Sequence, residues 1–154
     1  MWDSAVTTFS AKRALGADPT AVTWRPVTAI RLGDTDGNPD TVADPTWSPL
    51  ITTPNHPEYP ASHPSSHGAG AGILKSVFGD AQATFEVHPQ YNSTLPTPPG
   101  LLPRNYSSIS AVERDGSDAR IFGGMHYRSS NDASIAEGHA VADWVLANVA
   151  QRVH

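Results

Sequence analysis

The sequence predicts an all-α chain, a partial helical bundle linked by long Pro/Gly-rich loops, and three observations lead there. Residues 131–150 carry Ile135, Gly138, Ala142, Val145 and Val149 at spacings of three and four, which puts them on one face of a helix. The run AGAGILKSVF, residues 69–78, reads as a second helix that stops at Gly79. Strand-like sequence is confined to TFEV, residues 84–87, whereas 14 Pro and 12 Gly interrupt the rest.

In chain order, residues 2–16 predict a helix on a loose stripe of Val6, Phe9 and Arg13 or Ala14, ended by Gly16. Residues 17–68 hold nine prolines and read as one long irregular stretch, of the kind that wraps a scaffold or carries function. After the helix at 69–78 and the extended piece at 84–87 comes a Pro-rich linker from Pro89 to Pro103. Residues 107–127 predict a helix capped by Ser107 or Ser108, with Ile109, Val112, Ile121 and Phe122 as core positions. Gly116 and the pair Gly123-Gly124 weaken that helix or permit close packing. Asn131 or Ser130 is the expected cap of the last helix.

Composition narrows the function. A net charge of -5 excludes a global basic field, so no nucleic-acid partner is expected and any anion site must be local. With no cysteine, disulfides, thiolate catalysis and thiolate zinc sites are excluded, and the redox compartment stays open. No apolar run approaches the roughly 20 residues of a membrane span, and Met1 opens no signal-peptide pattern. A soluble chain is expected; its localisation is left open.

Several stretches offer charged or metal-ligating groups. DTDGNPD, residues 34–40, begins like a calcium loop, but Pro39 takes the place of the sixth-position glycine and Pro45 that of the twelfth-position glutamate. A turn-forming loop is the better reading. HPEYPASHPSSHG, residues 56–68, gathers His56, His63 and His67, yet its prolines argue against a continuous helix, so the three are not expected to share a face. Arg120 and His126, in ARIFGGMHYR, pair a guanidinium with an imidazole beside small residues, a set that suits an oxyanion. Arg25, held between Trp24 and Pro26, is restricted to extended backbone and ordered for bidentate contacts; packing on Trp24 is its plain alternative.

The order of these pieces is more specific than any one of them. WRPVTAIR, HPEYPASH and ARIFGGMH together resemble the three-part signature of the vanadium-dependent haloperoxidase and type 2 phosphatidic acid phosphatase superfamily. That signature runs Lys-x6-Arg-Pro, Pro-Ser-Gly-His, Ser-Arg-x5-His. The likeness covers Trp24 to Leu146 and is nearest the haloperoxidase-like branch.

The resemblance implies a role for each matching residue. Arg25, Arg120 and Ser62 would bind the oxyanion, with Lys12 as the motif lysine if part of GADPTA is an insertion. His63 would be the acid–base histidine, in preference to His67, and His126 the axial group: a vanadate ligand in haloperoxidases, a nucleophile in phosphatases. Ala61 stands where the family has serine, Ser62 where it has glycine, Ala119 where it has serine, and Asp18 seven positions before Arg25. Ser62, Ser65 and Ser66 are the candidates for the displaced hydroxyl.

The functions implied are vanadate-dependent, peroxide-driven halide oxidation; phosphate-ester hydrolysis by a histidine nucleophile, with no cofactor; or a catalytically inactive binding or structural domain. The small-molecule partners would be peroxide and halide, or a phosphate ester. The resemblance also implies one helical domain over residues 1–154, lacking most of the bundle that precedes the Arg-Pro motif. Helix faces left uncovered would then meet a partner chain or a second copy.

Overall fold

The computed structural model describes residues 24–81, 84–87 and 103–149. The expected helix at 2–16, Lys12 and most of the Pro-rich linker lie outside the described residues.

The first described helix is α1, Pro26–Arg31, with Pro26 in the first turn, where a missing N–H costs no helical bond. A 3-10 turn follows at Gly33–Thr35. The stretch expected to be irregular therefore contains a short helix. Beyond it the acidic loop closes on its own amides: Asp34 accepts from the Ala43 N–H at 2.9 Å, Asp36 from Asn38 at 2.7 Å, and Asn38 from Asp40 at 3.0 Å. Gly37 takes φ 82°, which only a glycine adopts without strain.

The second helix, α2, runs Ser62–Phe78 and begins seven residues before the expected start. The prolines do not break this stretch, contrary to expectation. Pro64 falls in the first turn, where N–H groups have no intrahelical acceptor, so the helix accommodates it. His63 and His67 consequently lie four residues apart on one helix, as neighbours on the same face.

Two short strands, β1 (Phe85–Val87) and β2 (Arg104–Tyr106), pair antiparallel with Phe85 opposite Tyr106. At three residues, β2 is too short to show alternation in the sequence. Helix α3, Ile109–Phe122, is capped by Ser108, whose hydroxyl accepts from the Ala111 N–H at 3.1 Å. It stops before the Gly123-Gly124 turn, so Arg120 and His126 do not share a helix, and Phe122 is exposed rather than core.

Helix α4, Arg128–Asn148, starts earlier than expected, with Tyr127 at the N-cap making no side-chain bond. Ser130 and Asn131 are not caps. Both are buried; the Ser130 hydroxyl bonds across the fold to Glu58, and the Asn131 amide nitrogen to Ser117.

Small residues let α2 and α4 touch along their backbones. Ala61 bonds to Ser134, Gly68 faces Ile135 and Gly138, and Gly72 faces Ala142, so the two helices run in the same direction. A Cβ on Gly138 would lie 2.2 Å from the Ser65 carbonyl oxygen. On the other side of α2, His67 packs on Gly116 of α3, and Lys75 reaches the buried Glu113 at 2.7 Å. His139 of α4 bonds to the second oxygen of Glu113, tying all three helices. Leu74, Val77, Phe78, Val141 and Trp144 remain exposed on α2 and α4. No helix among the described residues is long and apolar enough to cross a membrane.

Candidate functional site

Arg25 takes its place from the local sequence. Its extended backbone, φ -69° and ψ 154°, is what a following proline requires, and its carbonyl accepts from Thr28 and Ala29 to start α1. The guanidinium turns inward. It donates to the carbonyl oxygens of Met125 at 2.7 Å and Pro57 at 3.1 Å, and to that of His56. One nitrogen lies 3.3 Å from His126 Nε2 and the other 3.2 Å from His56 Nδ1.

The Gly123-Gly124 turn delivers His126 to this guanidinium. Gly124 has φ 73°, and a Cβ there would meet the Trp47 ring at 2.7 Å, so the position needs glycine on two counts. The turn folds the chain back until the Met125 N–H bonds to the Arg120 carbonyl at 3.0 Å. His126, only 2% exposed, then stands between α3 and α4.

Its ring is oriented from both sides. Nδ1 lies 2.8 Å from the Glu58 carbonyl oxygen and 3.3 Å from Glu58 Oε1, both acceptors, so this nitrogen carries the proton. Nε2 is left with its lone pair facing Arg25. The Glu58 carboxylate is itself held by the Tyr127 N–H at 3.1 Å and the Ser130 hydroxyl at 2.8 Å. Burial pushes the Glu58 carboxyl up, but the bonds from His126, Tyr127 and Ser130 outweigh it and hold it below the usual carboxylate range.

A group titrating lower in the folded than in the unfolded chain adds stability above its unfolded pKa and loses it as pH falls through the folded value. Glu58→Gln is therefore expected to flatten the fall of unfolding free energy toward acid pH, measured by urea unfolding across that range.

Arg120, in the last turn of α3, is the under-satisfied cation of the site. Its one bond among the described residues runs to the Met125 sulfur at 3.1 Å, a weak acceptor, and its buried Nε has no partner. Ser62, the first residue of α2, likewise buries a hydroxyl oxygen without a partner. His63 follows on the exposed side. Burial, then the charges of Arg120, His67, His56 and His126, lower its pKa, so His63 is neutral at pH 7.

Arg25, His63, Arg120 and His126 thus share one electrostatic neighbourhood, with Ser62 beside His63 in α2. Two members were missed. His56, read from the sequence as a loop residue, stacks on His126 at 6.2 Å between ring centroids and touches Arg25. Its pKa is lowered by burial and by Arg25, His126 and Arg120, although its bond to the Pro57 carbonyl acts the other way. Glu58 sits inside HPEYP, but nothing in its spacing from His126, 68 residues away, announces the contact. His67, the alternative to His63, is turned to α3, its ring against Gly116 and its Nδ1 buried without a partner.

The chain, over residues 1–154, matches the protein family described as the VCPO second helical-bundle domain. Among solved structures it is similar to a bacterial vanadium-dependent iodoperoxidase, 28% identical with a TM-score of 0.62, across 80% of this chain and 26% of that one. It is similar also to the holo form of a bacterial vanadium-dependent chloroperoxidase, 26% identical with a TM-score of 0.57, across 77% of this chain and 28% of that one. The apo form of a bacterial vanadium-dependent chloroperoxidase gives 26% identity and a TM-score of 0.56, across 77% and 29% of the two chains. The chain therefore spans less than a third of the length of these relatives. No curated protein matches it.

Proposed function

The chain belongs to the VCPO second helical-bundle domain family, and from that premise we propose that it carries the oxyanion-binding site of a vanadium-dependent haloperoxidase. The observation behind this reading is the arrangement of His126: Nδ1 bonded to Glu58, and the Nε2 lone pair facing the Arg25 guanidinium 3.3 Å away. An oxyanion that takes up a fifth, electron-pair-donating ligand would need such a donor on one side and cations around its charged oxygens. Two buried polar atoms without partners, Arg120 Nε and Ser62 Oγ, fit such a ligand, since orphaned donors of this kind cost about 1–3 kcal/mol each unless something bonds to them.

In this reading His126 Nε2 would ligate the oxyanion, Arg25 and Arg120 would neutralise its charge, and Ser62 would donate a hydrogen bond. His63, whose pKa is lowered by burial and by the charge of Arg120, would accept a proton and return it. Bound vanadate would supply the activation of peroxide toward halide. The same residues would serve a phosphate ester with His126 as nucleophile, so the test carries both arms.

The purified chain is titrated with orthovanadate and followed by vanadium NMR, then with inorganic phosphate as competitor. Saturable binding is expected, and no bound signal at millimolar vanadate sinks the proposal. Arg120→Met keeps the length of the stem and removes the charge; it should weaken binding by about 10- to 100-fold, the worth of a charge-assisted bond. Peroxide-dependent bromination that requires vanadate separates this reading from ester hydrolysis that vanadate inhibits.

A further inference from the structure

Glu58 gives His126 two acceptors where one would hold the ring. The backbone carbonyl at 2.8 Å already selects the Nδ1–H form, and the carboxylate at 3.3 Å adds a negative charge on the side of the ring away from Arg25. Both side chains are fully enclosed. Burying a carboxylate is costly, and a glutamine of the same shape could bond to His126, Tyr127 and Ser130 through its amide. Shape and hydrogen bonding therefore do not account for the residue; its charge is what distinguishes it.

We infer that Glu58 is a positioning residue whose buried negative charge strengthens electron-pair donation from His126 Nε2 toward a bound oxyanion. The inference rests on the oxyanion-binding reading above. As Nε2 shares its pair, positive charge grows on the imidazole, and a carboxylate across the ring stabilises it. Enclosure makes the effect large, because little water screens the pair. Outer partners of ligating histidines act in this way in metal sites generally. Arg25 lies on the far side of the ring, its guanidinium 3.3 Å from Nε2, where the equatorial charge of a bound oxyanion would be met.

The test uses orthovanadate, with inorganic phosphate in parallel, on the wild-type chain, Glu58→Gln and Ser130→Ala. Glu58→Gln should bind about 10- to 100-fold more weakly. Ser130→Ala, which keeps the carboxylate, should stay within a few-fold of wild type. Equal affinity for wild type and Glu58→Gln overturns the inference. A second readout needs no oxyanion: the His126 Nδ1 proton resonance should move upfield in Glu58→Gln as its acceptor loses charge, and an unmoved resonance overturns the inference independently. If the wild type binds neither anion, the functional reading fails, and the proton resonance alone decides the role of Glu58.

Discussion

Replacing His126 by glutamine is expected to abolish orthovanadate binding, with an affinity loss beyond the 10- to 100-fold expected for Arg120→Met or Glu58→Gln. The axial electron pair has no substitute in the site: His56 stacks beside His126, but its Nδ1 lies near the Arg25 guanidinium and the Pro57 carbonyl. Glutamine is the informative replacement because alanine does two things at once. His126→Ala would strip the buried Glu58 carboxylate of its ring partner, and leaving a buried charge unpaired costs about 3–5 kcal/mol. That is a large part of the stability of an ordinary domain. The glutamine amide can still donate toward Glu58 while lacking the imidazole pair. Vanadium NMR beside a urea unfolding curve separates the effects, and His126→Gln that binds vanadate as tightly as wild type would remove His126 from the axial role.

Gly138→Ala should be the most destabilising single-methyl change, with a net loss of at least about 2 kcal/mol, since overpacking costs about 1–3 kcal/mol and more where backbone must move. The added carbon would sit 2.2 Å from the Ser65 carbonyl oxygen and 2.6 Å from the Ala69 nitrogen, so α2 and α4 must separate. The gain from alanine in a helix, about 0.5–1 kcal/mol, opposes this and loses. Gly70→Ala, on α2 with open space around its Cα, is the internal control and should stabilise by that same gain. Thermal and urea unfolding of the two variants should give shifts of opposite sign. Gly138→Ala should also weaken vanadate binding, because the displaced α2 carries Ser62 and His63.

Much of the helical architecture was legible because amphipathic spacing and glycine stops are local signals. Ile135, Gly138, Ala142 and Val145 do line the side of α4 turned inward, whereas Val149, expected on the same face, lies past the helix end and is exposed; Gly79 does end α2. The misreadings have local causes too. Pro64 looks like a break until the helix start is known to precede it by two residues, because a proline is harmless only in the first turn. Ser130 and Asn131 look like caps because a cap and a buried hydrogen-bonding residue use the same side chains. The first strand was legible as the extended piece TFEV, whereas three-residue β2 is defined by its pairing with β1, which no window around it displays.

The site divides in the same way. Arg25, His63, Arg120 and His126 stand out by residue type, order and neighbouring prolines and glycines, and so did the family to which the chain belongs. The sequence by itself determined the helical class, the inward stripe of the last helix, and the identity of the charged candidates, since these depend on spacing and residue type within a segment. Only the tertiary structure decided that Glu58 and His56 join His126, that His67 turns toward α3, and that Arg120 and Ser62 keep buried polar atoms without partners. Those facts depend on which segments meet when α2 packs between α3 and α4, and hydrogen-bond partnership across 68 residues leaves no trace in the spacing of either partner.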